Sequence, residues 1–293
     1  MIKKIYNIIK EYIQNLIHCI IRDDFANAAG EMAYMVSLGI FPFMLLMMAI
    51  FGWLGKKIFI NKIIFGLSAI APNEVAQLIN KVLAEVVIFK SGTLMGIVGF
   101  VVTLFLSQNA VAVIIKGLNR ANNVAENRNF FAVRALAVIM VFVNAFFLFI
   151  SINLIVLGKV ILNFVQLYVS IPQSIVDIIL ISRWPLAFLM LFILSSINYY
   201  VLPARDFSKQ RKSVIPGALF FCIFWLIGSW GFSLYVNTLG TYNKVYGTIG
   251  IFAILMVWLY YSSIIFLIGG QVNNQTLRKL TLREIKKQTE GEV

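Results

Sequence analysis

Apolar residues fall along this chain in six long runs free of Lys, Arg, Asp and Glu: Met32 to Gly55, Ser91 to Ile115, Ala135 to Gly158, Trp184 to Val201, Val214 to Asn237 and Val245 to Val272. About 20 residues of helix, rising 1.5 Å each, cross the ~30 Å hydrocarbon core of a bilayer, so each run is long enough to span it. Spanning strands are only about half that length and alternate in polarity, which excludes a barrel. The pattern predicts an all-α polytopic transmembrane helix bundle of about six spanning helices with amphipathic interfacial helices.

The flanking segments carry a different pattern. Before the first run, Ile5, Ile9, Ile13, Leu16 and Ile20 recur at helical spacing, with Lys3, Lys4 and Lys10 off that stripe. Such a helix lies in the membrane interface or packs beneath the bundle. Between the first two runs, Val75, Leu78, Ile79, Val82, Leu83 and Val86 form a second apolar stripe, started by Pro72 and Asn73. Val160 to Ser182 is largely apolar but holds Pro172 and Asp177, and reads equally as re-entrant, interfacial or spanning. The reading divides the chain into a cytoplasmic amphipathic segment 1–31, a membrane domain 32–272 and a basic cytoplasmic tail 273–293, a short helix fraying into solvent.

The net charge of +13 would suit a nucleic-acid binder, but the loop positions of the cations change that reading. Seventeen of the 25 Lys and Arg fall in the segments on one side of the six spans, among them Lys116, Arg120, Arg128, Arg134, Arg205, Arg278 and Lys279. Positive charge concentrates in short cytoplasmic loops, so both termini are expected in the cytoplasm of a bacterial inner membrane. The expected partners are membrane lipids, with anionic headgroups drawn to the basic segments, and a second copy or an envelope protein; nucleic acid is not expected.

Within the spans, Pro42 removes a ladder hydrogen bond and predicts a kink or break in the first helix, serving as a gate or as a packing device. Pro185 and Pro216 are placed at helix starts and Pro203 just past a helix end. Uncharged polar groups are scattered at Ser107, Gln108, Asn109, Asn144, Ser151, Asn153, Ser195 and Asn198. Ser195 and Asn198 share one helix face, as do Asn144 and Ser151, so both pairs point inward, either bonding between helices or lining a polar pathway. At the span ends, Glu31 is expected to pair with Arg134 or Arg120, as a staple of helix ends or as a headgroup site. Asp23 and Asp24 read as first-turn or capping residues. The glycine pairs Gly92/Gly96, Gly228/Gly231 and Gly247/Gly250 mark close helix packing, and Tyr235, Tyr242 and Tyr246 read as interfacial anchors.

Ala33-Tyr34, Ser37 and Phe41-Pro42 resemble the start of the YihY / virulence factor BrkB family. Leu118-Asn119-Arg120-Ala121, Leu202-Pro203, Pro216-Gly217-Ala218, Tyr235, Tyr246-Gly247, Gly250 and Trp258-Leu259-Tyr260 follow in the family's order. The resemblance implies an inner-membrane protein of about six helices whose activity is not settled, some members having carried a ribonuclease label regarded as a misassignment. The family's Gly-Ala-Glu-Leu-Asn at the end of the last span stands here as Gly269-Gly270-Gln271-Val272-Asn273. Any step needing a carboxylate at Gln271 is therefore in question.

Catalysis finds little material. The chain has one histidine, His18, and a ribonuclease needs a His pair, a Lys/His set or metal-binding carboxylates to move the proton and hold the developing charge. Neither a phosphate-binding GxxxxGK[ST] loop nor a dinucleotide fingerprint occurs. The expectation is no enzyme, no catalytic residue, no metal and no cofactor. It is instead a transporter or flippase- or scramblase-like protein for a lipid or amphiphile, with a membrane scaffold or envelope-assembly protein as the alternative.

Overall fold

A computed structural model describes residues 2–54, 93–166, 172–205, 214–238 and 242–291. Among these residues there are seven helices and no strand: α1 (Ile2–Arg22), α2 (Phe25–Leu54), α3 (Thr93–Asn122), α4 (Phe130–Gln166), α5 (Gln173–Val201), α6 (Val214–Thr238) and α7 (Tyr242–Gly291). On α3 to α7 the described residues include five stretches long and apolar enough to cross a bilayer.

Helices α2 to α7 close a ring in chain order, each packing on the next and α7 returning to α2, while α3 and α7 also meet across it. The packing is tightest at one end. Ile115 and Leu118 of α3, Met140 of α4, Leu202 after α5, Cys222 of α6 and Leu267 of α7 are fully enclosed there. On α4 none of the described side chains beyond Ala145 is buried, and on α6 none beyond Cys222. That tight end, the terminal end, is where α1 lies against the C-terminal part of α7, with Lys279 4.5 Å from the Tyr12 ring centre.

Glycines set the closest approaches. A Cβ on Gly217 would collide with Gly269 O and the Asn273 amide, and one on Gly269 with the Tyr199 hydroxyl. Absence of side chains there lets α5, α6 and α7 touch, Tyr199 donating to Phe266 O at 2.8 Å while stacking on the Phe266 ring. Farther along, Gly228 leaves room for the Tyr261 hydroxyl, whereas Gly231 faces open space. Trp225 and Trp258 donate across the α6–α7 seam to Ser262 and Ser229 at 3.0 and 3.3 Å.

Several expectations change. The tail is no separate short helix, since α7 runs unbroken for 50 residues, about 75 Å, from the last span to Gly291. Val160 to Ser182 belongs to no helix of its own, because α4 continues to Gln166 and α5 already begins at Gln173. Pro172 is the N-cap of α5, and Pro185 therefore lies inside that helix rather than at its start. The apolar residues before Trp184 extend the helix despite the one lost ladder bond. Helix α2 passes Pro42 without a break, and that side chain lies outside the described residues. So do the stripe from Val75 to Val86, Gly92 and the Tyr246 side chain.

Candidate functional site at the terminal end of the bundle

A helix leaves its last four carbonyls without intrahelical partners, a serious cost where a helix stops at a membrane border. Here α3 and α5 both stop at the tight end of the ring, and side chains from other elements reach their free carbonyls. Arg205, in the loop after α5, donates to Asn122 O at 2.6 Å and to the Asn274 side chain at 2.7 Å. Asn274 in turn donates to Ala121 O at 3.2 Å. Arg128 reaches Leu202 O at 2.8 Å, closing the end of α5. Cations at these C-termini also meet the negative end of the helix dipole.

Asn119 is the hinge of the arrangement. Buried on α3, it accepts from Ala204 N at 2.7 Å and donates to Glu126 Oε2 at 2.8 Å, so one amide holds both the loop after α5 and the loop after its own helix. Its own carbonyl accepts from Val124 N at 3.0 Å as Asn123 turns the chain at φ 53°. This is a Schellman closure with asparagine in the left-handed position that glycine usually takes. Glu126 completes the set with Arg128, 2.7 Å away. The Arg128 guanidinium, with help from the Arg128 N–H and Asn119, holds the Glu126 carboxyl below its ordinary value. Burial pushes the Arg205 guanidinium down to about 10, helped by the positive charge of Arg278.

The next loop out belongs to α4. Asn129 caps that helix, its side-chain oxygen accepting from Ala132 N at 2.7 Å. Asn273 does a similar service between helices, accepting from Gly217 N at 2.7 Å near the start of α6.

Between α3 and α4 this lattice opens onto a cleft of about 630 Å³. Ala112, Ile115 and Val133 give it an apolar wall; Lys116, Arg120, Asn119 and Glu126 give it a polar rim. The arrangement is suited to a molecule with a charged head and an apolar body.

Of the residues singled out from the sequence, Asn119, Arg120, Gln271 and Asn273 come together at this end. Glu31 is there too, but its partner is Lys116 at 2.8 Å, not Arg120 or Arg134. Arg120 faces Asp24 at 3.7 Å, and Arg134 bonds Asn109 and lies over the Phe130 ring. Asp24 occupies the turn between α1 and α2 at φ 48°, its carbonyl accepting from Ala28 N at 3.2 Å and its carboxylate from Asn27. Asn198 donates to Asn144 at 2.9 Å, joining α5 to α4. Ser37, Ser151 and Ser195 each donate to a carbonyl of their own helix, with Ser195 also 3.7 Å from the Cys222 sulfur. Tyr34 is half exposed on α2, and Trp258 belongs to the α6–α7 seam. Sequence reading missed Asn122, Glu126, Arg128, Arg205 and Asn274. For Asn122, Glu126, Arg128 and Arg205 the signal is polar side chains within a turn or two of the ends of α3 and α5; Asn274, in the interior of α7, gave none beyond its place beside Asn273.

Long apolar helices closed into a ring, with most of the Lys and Arg gathered on one side of the spans, define a multi-pass α-helical membrane protein. More narrowly, the chain belongs to the Virulence factor BrkB family, which it matches over residues 16–292. It is 29% identical over 245 residues to YfkH of Bacillus subtilis (strain 168), a protein named only as ribonuclease-like; the match covers 84% of this chain and 87% of that one. A UPF0761 membrane protein of Enterobacter sp. (strain 638) is 34% identical over 108 residues, 37% of this chain and 32% of its own. Another, from Pseudoalteromonas translucida (strain TAC 125), is 38% identical over 61 residues, 21% of this chain and 20% of its own. No solved structure matches.

Proposed function

We propose that this protein moves a lipid or another amphiphile across the bacterial inner membrane as a flippase- or scramblase-like transporter, with both termini in the cytoplasm. The observation that carries the reading is the α3–α4 cleft, whose apolar wall and charged rim suit the two halves of an amphiphile and whose volume lies in the usual range for small-molecule sites. Asn119 and Glu126 serve both cleft and lattice, so a headgroup that engages them competes with the bonds closing the ends of α3 and α5. A ligand shifts a two-state equilibrium only through such differential contacts. The sparse burial beyond Ala145 on α4 and beyond Cys222 on α6 fits a form sealed at the terminal end and looser at the other.

The scaffold reading draws on Asn144 and Asn198, whose hydrogen bond joins α4 to α5 in the way polar groups hold membrane helices together. We propose no ribonuclease chemistry: the single histidine, His18, lies on α1 against α7, and a lone imidazole has no second His to share the proton transfers. The test is headgroup exchange of fluorescent phospholipids in liposomes, read by dithionite quenching, with E126Q beside the wild type. Exchange above protein-free liposomes, altered by E126Q, supports transport. No exchange across several lipid classes, with and without a proton gradient, refutes it and favours the scaffold.

A further inference from the structure

A second cleft, of about 460 Å³, lies on the other side of the terminal end, between α1 and the last third of α7. Its chemistry is unlike that of the α3–α4 cleft. Gln271 is 1% exposed, and its side-chain oxygen has no partner among the described residues. One turn on, Gln275 has both its amide oxygen and its amide nitrogen enclosed and unpartnered. Leaving such groups buried and unpaired costs roughly 1–3 kcal/mol each, so an occupant that bonds them is favoured. Arg278 and Lys279 from α7 and Arg22 from α1 bring positive charge to the same space. Arg22 is bonded to Asp23 and Asn123, and Lys279 lies over the Tyr12 ring. Glu11, the one carboxylate lining the cleft, is next to Tyr12 and hence at the Lys279 end, about 16 Å of helix from Arg22.

These groups specify an occupant. The cations call for an anion, the Gln275 NH2 for an acceptor, and the two amide oxygens for hydroxyl donors. We infer that the α1–α7 cleft binds a phosphate ester that carries free hydroxyls, its phosphoryl group toward Arg278 and Arg22 and its hydroxyls toward Gln271 and Gln275. The same chemistry is offered by the glycerol phosphate headgroup of a lipid and by a soluble polyol phosphate. Binding here does not depend on translocation, so the transport reading and this one fail separately.

Cys19 lines the cleft, and Cys222, the chain's other cysteine, is fully buried, so alkylation of the native protein in detergent or nanodiscs reports on Cys19. The probes are phosphatidylglycerol against phosphatidylcholine in nanodiscs, and glycerol 3-phosphate against inorganic phosphate in detergent. Phosphatidylglycerol or glycerol 3-phosphate is expected to slow Cys19 alkylation saturably, and whichever does so identifies the source. R278Q and Q275L are each expected to weaken that protection by about tenfold, the loss of one charged or buried hydrogen bond. Arg278 is exposed, so R278Q tests binding without burdening the fold. Unaltered alkylation with all four probes, inorganic phosphate protecting as well as glycerol 3-phosphate, or variants protected like wild type would each overturn the inference.

Discussion

Asn119→Asp changes almost nothing in shape, yet it replaces the amide that donates to Glu126 Oε2 at 2.8 Å with a second carboxylate. The acceptor for Ala204 N survives. Two like charges about 3 Å apart repel by roughly 5 kcal/mol at an effective dielectric of about 20. The protein escapes by taking up a proton, and that escape sets a ceiling. Protonating an ordinary aspartate at pH 7 costs about 4 kcal/mol, at 1.36 kcal/mol per pH unit above its pKa. With Arg128 screening part of the repulsion, we expect N119D to cost about 2–4 kcal/mol at pH 7.5. The shared proton raises the folded-state pKa of the pair, so the folded variant binds more protons than the unfolded chain and recovers stability as the pH falls through that raised value. E126Q should remove the penalty, because a glutamine amide donates to the new carboxylate. The assay is unfolding followed by tryptophan fluorescence in nanodiscs at pH 7.5 and 5.5, for wild type, N119D, E126Q and the double variant. Equal loss at both pH values, or no rescue by E126Q, would show that Asn119 and Glu126 do not couple as described.

The wild type should behave oppositely in acid. The depressed Glu126 pKa gives stability that is present above the ordinary value of 4.5 and lost as the pH falls through the folded value, so the wild-type unfolding midpoint should drop in that window while E126Q stays flatter. Gly217→Ala should cost about 1–3 kcal/mol by driving α6 from α7, read as a lower unfolding midpoint; Gly231→Ala, with open space for its Cβ inside the helix, should instead be neutral or stabilise by up to about 1 kcal/mol. Asn198→Leu should destabilise by only about 0.6–2 kcal/mol, the range for hydrogen bonds between membrane helices, and Asn144→Leu in the same background should add less than it does alone. Exchanging charges at Glu31 and Lys116 should leave stability within about 1 kcal/mol of wild type, whereas E31K alone, placing two cations together, should lower it in a salt-sensitive way.

The spans were legible because a bilayer demands length and apolarity, and both are counted along the sequence. Where helices stop was harder to read. The run from Ala135 predicted a helix of bilayer length, but α4 goes on to Gln166, since neither Gly158 nor Lys159 breaks it, and α5 starts at Gln173, just after its N-cap Pro172, well before Trp184. The charges after Val272 suggested a separate tail; helix propensity of Leu, Arg, Glu and Lys instead carries α7 onward without a break. The lattice was only half visible. Asn119 and Asn273 drew attention through the family pattern, while Arg205 and Asn274 act on carbonyls of α3 that are 83 and 153 residues away by chain, a relation set by which helix ends meet in the ring.

The misplaced partner of Glu31 shows what would have found the right one. Consecutive helices joined by a connection across the membrane run antiparallel, so each step up α2 is matched by a step down α3. Asp24 meets Arg120, Glu31 meets Lys116, Met32 lies where a Cβ on Gly117 would reach, and Gly39 lies against Ala110. Once Arg120 is taken by Asp24, the carboxylate two turns farther along α2 has to look one turn back along α3, which is Lys116. Arg134 was out of reach for a related reason. It sits on α4, on the far side of α3 in the ring, where it finds Asn109 and the Phe130 ring. The same register places Asp24, just before α2, and Glu31, on it, along the face of α3 that carries the cleft's cations, so the positive rim of that cleft is held from behind by acidic residues. On the proposed transport function, a headgroup entering it would meet cations already positioned by Asp24 and Glu31. This predicts that E31Q, at constant stability, frees Lys116 and alters lipid headgroup preference in the exchange assay; an unchanged preference would argue that Lys116 takes no part in selecting the occupant.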